Sequence, residues 1–185
     1  MVSVRVKAWI LALTVIMTAG CGGMVDDLNP SGQDKQPVQQ PGTIGPNVGQ
    51  NAPDFTLPDD LGNTVTLSSV LQSSDGVVMY FTMWCPICWG HMDHLRTAII
   101  PNYHNVRFYA VDYVSASIAV ARNREISDGF AGSGFTVLVD TSKSMLSLYH
   151  ATMGTTVVID RNGVIRMSED YKDGARLQSA LANLP

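Results

Sequence analysis

Val77-Val78-Met79-Tyr80-Phe81-Thr82-Met83-Trp84-Cys85-Pro86-Ile87-Cys88 is the stretch that decides the fold. Val77 to Met83 is β-branched, aromatic or otherwise apolar without a breaker, as a fully buried strand requires. Trp89 to Ile99 contains no proline, and Met92, Leu95 and Ile99 fall at helical spacing. A strand that enters a helix through Cys-X-X-Cys places its first thiol at the helix N-terminus. Unpaired N–H groups and the macrodipole there favour thiolate over thiol. The thiolate is the species that attacks a disulfide, and motifs of this spacing lower its pKa to about 7 or well below. The second sulfur, one turn on, can attack the mixed disulfide and release the product. The pattern points to dithiol–disulfide chemistry, with Cys85 attacking and Cys88 resolving.

Outward from that junction, strands and helices alternate. Phe55-Thr56-Leu57 and Thr64-Val65-Thr66-Leu67 predict a hairpin around the turn-rich Asp59-Asp60-Leu61-Gly62-Asn63. Ser68 or Ser69 is a candidate cap for a short helix through Leu71. Pro101 ends the helix that begins at Cys85. Val106 to Tyr113 reads as a second strand, followed by a helix capped by Ser115 or Ser117 and running to about Ser127. Phe135 to Val139 is a short strand, and Thr141 or Ser142 is a candidate cap for a helix through Tyr149. Thr155 to Ile159 and Val164 to Met167 pair across Arg161-Asn162-Gly163, which carries the Asn-Gly turn signal. A last helix covers Asp173 to Leu184. The expected fold is α/β, with a central mixed β-sheet flanked by helices and an added N-terminal hairpin.

The start of the chain reads as an address. Arg5 and Lys7 precede an apolar run from Ala8 to Thr18, and small Ala19 and Gly20 precede Cys21. The run is too short to span a membrane comfortably. Thr18-Ala19-Gly20-Cys21 resembles a bacterial lipobox, although Thr18 stands where leucine is usual. Residues 1–20 are then a lipoprotein-type signal peptide, and lipidated Cys21 anchors the chain to a bacterial membrane in the extracytoplasmic cell envelope. The competing reading is an ordinary secretory signal; both lead to an oxidising compartment. Residues 21–50 are rich in Gly, Pro, Gln, Asn and Asp and read as a flexible tether, which leaves 51–185 as the folded domain. Of 3 cysteines, lipidation of Cys21 leaves the pair Cys85 and Cys88. A staple across two intervening residues gains little chain entropy, so reversible chemistry explains that pair better. Removing Arg5 and Lys7 from 12 basic residues, against 16 acidic ones, moves the formal charge from −4 to −6. No basic stripe interleaves with aromatics, so nucleic acid is not an expected partner.

Three segments carry a family resemblance: Asn51-Ala52-Pro53-Asp54-Phe55-Thr56-Leu57, then Tyr80 through Cys88, then Thr155-Thr156-Val157-Val158-Ile159-Asp160-Arg161-Asn162-Gly163-Val164-Ile165. In this order they resemble the thioredoxin-like redoxin superfamily. The match is closest to membrane-anchored TlpA/ResA-type thiol–disulfide oxidoreductases and the related AhpC/TSA redoxins. The resemblance implies Cys85 as attacking thiol and Cys88 as resolving thiol. It also implies no cofactor, with protein thiols or disulfides and an upstream thiol donor as partners. Trp84, Pro86, Gly154 and Thr155 are the expected shapers of the site. The family usually places a cis-proline before the late Thr-Thr strand; Gly154 stands there, preceded by Met153. A cis bond is essentially a proline phenomenon, so substrate choice and redox potential stay open.

Two rival readings start from the same residues. Thr82 precedes Cys85 by three, as in peroxiredoxins, and Cys85 could pass through a sulfenic acid resolved by Cys88. The peroxiredoxin proline four residues before that threonine is absent, because Val78 stands there, and no arginine precedes the late strand. Cys85, Cys88, His91 and His94 recur every three residues like a Cys₂His₂ set for copper or another metal. Three-residue steps carry His94 half a turn away from Cys85, so no metal site is expected. His104 and His150 have no partner pattern. Trp89 reads as packing, Asp160 and Asn162 as a turn, and neither Asp112 nor Glu125 can be assigned as proton acceptor for Cys88.

Overall fold

A computed structural model describes residues 41–185. The expected signal peptide, Cys21 and the part of the expected tether before residue 41 lie outside the described residues. The elements are β1 (Thr56–Pro58), β2 (Thr64–Thr66), α1 (Leu67–Leu71), β3 (Gly76–Thr82), α2 (Pro86–His94), β4 (Val106–Asp112) and α3 (Ile118–Ser127). β5 (Phe135–Val139), α4 (Ser144–Leu148), β6 (Thr155–Asp160), β7 (Ile165–Asp170) and α5 (Ala175–Ala182) complete the series. One sheet has the order β5-β4-β3-β6-β7. β3, β4 and β5 run parallel, while β6 is antiparallel to β3 and to β7. The fold class expected from the sequence is the one observed, hairpin included.

Every residue of central β3 is buried, because both faces of the sheet are covered. Strand alternation divides its side chains between two cores. Val78 and Tyr80 pack with Cys88, Met92, Leu95 and Ile99 of α2 and its extension, and with Leu177 and Leu181 of α5. Val77, Met79 and Phe81 pack on the opposite face with Met145, Tyr149 and the hairpin's Phe55 and Leu57. The β5 edge of the sheet is covered by the hairpin loop, where Asp60 N–H donates to Val137 C=O at 2.9 Å.

Three local expectations change. The docked chain begins before residue 51: Asn51 N–H bonds Thr43 C=O at 2.9 Å, and Gly49 and Gln50 exchange bonds with Ile165 at 2.8 and 2.9 Å. The expected boundary at residue 50 is therefore too late, because Gly49 and Gln50 already pair with the start of β7. Both short helices are capped by aspartates rather than by the adjacent hydroxyls. Asp54 Oδ1 receives Ser68 N–H at 3.1 Å, and Asp140 receives Ser144 and Met145 N–H at 3.0 and 2.8 Å. The long helix from Cys85 also loosens at His94 into a π-helical turn, Leu95–Ile99, and a 3₁₀ turn, Ile100–Asn102. Thr97 Oγ1 donates back to Asp93 C=O at 2.7 Å, competing with the helical ladder there. Ser117, by contrast, caps α3 as expected, accepting Val120 N–H at 3.3 Å.

Candidate active site

The site lies where β3 hands the chain to α2. Thr82 ends the strand in register with Asp112, the last residue of β4. Two residues later Trp84 takes φ 58°, the left-handed region that a bulky residue rarely enters. Such a conformation costs on the order of 1–3 kcal/mol and persists only when its surroundings over-determine it. Here they do. Trp84 N–H donates to Thr82 Oγ1 at 3.1 Å, and its indole N–H donates to Asp112 Oδ2 at 2.8 Å. Asp112 is fully buried, and its other oxygen accepts Val114 and Ser115 N–H at 3.0 and 2.9 Å. The carboxylate is thus occupied as an anchor for Trp84.

This turn delivers Cys85 as the N-cap of α2, extended at φ −80° and ψ 164°, with Pro86 pre-set for the first turn. Cys85 Sγ accepts Cys88 N–H at 3.2 Å, so the thiol sits where the helix offers a free donor. Cys85 is half-buried and Cys88 is fully buried, and both are free thiols whose sulfurs stand 2.7 Å apart. Burial pushes the Cys88 thiol up, but bonds from the Cys85 thiol, backbone at Met83 and Cys85, and the Thr82 hydroxyl outweigh it and lower the pKa. Helix-terminus reasoning points to the first cysteine; the hydrogen bonds of the site favour the thiolate of the second. The peroxiredoxin-spaced Thr82 therefore addresses Trp84 and Cys88.

Strand parity brings Tyr80 to the same face as Cys88. Its hydroxyl is 2.9 Å from His91 Nδ1, and its pKa is driven upward by burial and by both sulfurs. Tyr113 is raised by burial, Cys88 and Cys85 in the same way. His94 Nδ1 meets Tyr171 Oη at 2.6 Å, and the His91 ring packs on Tyr171 at 4.9 Å. Both histidines thus engage tyrosines through Nδ1. Among the described residues no group of three or more His, Cys, Asp or Glu converges as a metal site.

The remaining expected residues divide. Gly154 ends beside the site: its N–H donates to Phe81 C=O at 2.9 Å, with φ 86°. Thr155 Oγ1 accepts Thr152 N–H at 3.0 Å and donates to Asp170 at 3.1 Å, which pins the loop before β6. Trp89 is a correction: it is 45% exposed, with Met83, Ile87 and Val114 also exposed on the segments around the pair. Its indole N–H reaches Asp128 C=O at 3.2 Å and its ring meets Phe130 at 6.0 Å. Asp160 caps its turn, receiving Asn162 and Val164 N–H at 2.9 Å each. Glu125 sits with Arg122 and Asp60, far from a role at Cys88. Tyr80, Thr82 and Asp112 were accessible to period-two reasoning along β3 and β4; Tyr171, 77 residues from His94, left no local signal. A cavity of about 380 Å³ lies elsewhere, lined by Asn51, Asp54, Leu67, Arg161 and Asn162 among others.

A mixed sheet with an accessible cysteine capping a helix and a second cysteine buried behind it defines a thiol redox protein of the thioredoxin-like redoxin superfamily. The chain belongs to the AhpC/TSA family, which matches residues 48–168. Alkyl hydroperoxide reductase E of Mycobacterium tuberculosis is similar, at 28% identity over 138 residues, 69% of this chain and 88% of that protein. Peroxidoxin BcpB of the same organism has a similar structure, with a TM-score of 0.58 and 24% identity over 74% of this chain and 95% of the other. So does a protein from Bacteroides thetaiotaomicron whose assignment as a disulfide isomerase is provisional. There the TM-score is 0.63 and the identity 22%, over 75% of this chain and 89% of the other. The chain is an oxidoreductase of this redoxin kind.

Proposed function

We propose that the protein is a thiol–disulfide oxidoreductase that exchanges its Cys85/Cys88 dithiol with disulfides of partner proteins. The observation that carries this reading is the pairing of a half-buried N-cap thiol with a fully buried thiol in contact behind it. Cys85 attacks a partner disulfide and forms a mixed disulfide. Cys88 then attacks the Cys85 sulfur, closing the Cys85–Cys88 bond and releasing the partner as a dithiol. Two electrons pass from the pair to the partner, and an upstream thiol donor restores the reduced state. The exposed side chains of Met83, Ile87, Trp89 and Val114 suit a protein partner, since they offer apolar surface beside the attacking sulfur. In the same reading Cys21 carries the lipid, and the domain works on the extracytoplasmic side of a bacterial membrane. The amino-terminal pattern, not the fold, supports that placement; mass spectrometry of the mature N-terminus tests it, and an unmodified terminus starting elsewhere would remove the anchor.

The second reading, peroxide reduction, is favoured by the mycobacterial alkyl hydroperoxide reductase relative. Against it, Thr82 serves Trp84 and Cys88, and among the described residues no arginine bonds either sulfur. Stopped-flow oxidation of the reduced protein separates the two. Fast exchange with a protein disulfide and slow reaction with hydrogen peroxide is the expected result. A peroxide rate far above that of an unactivated thiol, with a sulfenic acid on Cys85 in Cys88→Ser, would reverse the assignment.

A further inference from the structure

The resolving step needs a proton acceptor, because Cys88 is fully buried and the buried carboxylate at hand, Asp112, is taken up by Trp84, Val114 and Ser115. We infer that Tyr80 and His91 form a proton relay that carries the Cys88 proton out of the core. The inference rests on the assignment of Cys88 as resolving thiol. Tyr80 is the link between sulfur and imidazole: it packs with Cys88 in one buried cluster, and its hydroxyl is 2.9 Å from His91 Nδ1. The ring of His91 crosses that of Tyr80 edge-on, at 5.9 Å and 86°, and is half-buried, so it reaches from the core toward solvent. Burial and the neighbouring His94 hold its pKa below the ordinary 6.5, which keeps it a neutral acceptor at neutral pH.

The step balances. With Nδ1 unprotonated, Tyr80 donates its hydroxyl proton to His91 while accepting the Cys88 proton, so tyrosine is unchanged and never becomes a phenolate. That matters, because burial makes the phenolate inaccessible. Cys88 attacks the Cys85 sulfur, the Cys85–Cys88 bond forms, and the bond from Cys85 to the partner sulfur breaks. The departing partner thiolate takes a proton from water, and His91 returns its own to water. The groups facing this path are Cys85, Cys88, Tyr113, His94 and Tyr171. Tyr171 comes from the segment after β7 and fixes both histidines, through ring packing on His91 and a 2.6 Å bond to His94.

Ellman's reagent as a small disulfide tests the relay, because it reports two releases of coloured thiolate per pair. The first follows attack by Cys85 and the second follows resolution by Cys88. Tyr80→Phe, which preserves the buried ring, should slow the second release about a hundredfold more than the first, the lower end of what a placed acid–base group contributes. His91→Gln, at a half-buried position that tolerates change, should slow it similarly. It should also erase the fall in the second rate that wild type shows as pH drops through a value below about 6.5, where His91 protonates. The double variant should be no slower than the slower single one, since both break one path. Equal slowing of both releases, or an unaltered pH profile in His91→Gln, would overturn the relay. Cys88→Ser separates this from the underlying assignment: it should abolish the second release, and a persisting second release would mean that Cys88 does not resolve.

Discussion

Replacing Asp112 by Asn should loosen the turn that presents Cys85. The carboxylate accepts three hydrogen bonds at 2.8, 3.0 and 2.9 Å, from the Trp84 indole and from Val114 and Ser115 N–H. An amide of the same shape offers one oxygen. If that oxygen serves Val114 and Ser115, the amide NH₂ confronts the indole N–H, donor against donor; the reverse orientation abandons the two backbone groups. A hydrogen bond to a charged group contributes about 1.5–3 kcal/mol, and the site is fully buried, so no water restores it. For a domain of this size roughly 3 °C of Tm corresponds to 1 kcal/mol, so thermal unfolding should fall by about 5–9 °C. The assay is circular dichroism on Asp112→Asn, Trp84→Phe and the double variant. Trp84→Phe removes the indole donor, so Asp112→Asn should cost less in that background, with a coupling of about 1–3 kcal/mol. Cys85 alkylation should change in step, because Trp84 holds φ 58° only while both of its bonds persist. An Asp112→Asn variant within about 0.5 kcal/mol of wild type, or strict additivity in the cycle, would refute the anchoring role.

Other outcomes follow from the same geometry. Gly154→Pro should not reinstate the family's usual proline: it removes the N–H that bonds Phe81 C=O and demands φ near −65° where the chain has 86°, so a loss of about 3 kcal/mol or more is expected in urea unfolding. Glu125, buried beside Asp60, has its pKa raised from 4.5 to about 7. Its folded value exceeds its unfolded one, so this contribution to stability is full below pH 4.5 and is lost as pH rises through about 7. Glu125→Gln should flatten the decline in denaturation midpoint across that window; an unchanged slope would clear Glu125 of responsibility. Trp89→Ala, at a 45% exposed position, should shift stability by less than about 1 kcal/mol. It should slow exchange with protein disulfides more than with Ellman's reagent, and equal slowing would remove Trp89 from partner docking.

Where local chemistry governs, the sequence was readable. The breaker-free run before Cys85 became the central strand, and the stripe Met92, Leu95 and Ile99 became the buried face of its helix. Ser117 capped the helix that it precedes. Long-range partners were not readable. Asp54 reaches 14 residues to cap α1, and Asp112 reaches 28 residues back to Trp84, pairings that only the folded sheet creates. Trp89 misled for a different reason: a large aromatic on a helix suggests core, yet its neighbours on the exposed face of α2 are Pro86 and Gly90. The cysteine pair shows both sides. Its place at a helix N-terminus followed from spacing, whereas the hydrogen bonds that lower the Cys88 pKa come from a strand threonine and from the turn itself.

The lowered pKa of the buried thiol makes the order of attack the point to test most directly. Reduced Cys88→Ser and Cys85→Ser variants, each mixed with a protein disulfide, can be mapped by mass spectrometry for mixed disulfides. The half-exposed N-cap sulfur should do the attacking, so Cys88→Ser should accumulate a stable mixed disulfide through Cys85 while Cys85→Ser forms essentially none. Trapping through Cys88 in Cys85→Ser at a comparable rate would contradict the account, because the buried sulfur would then be the one that partners reach.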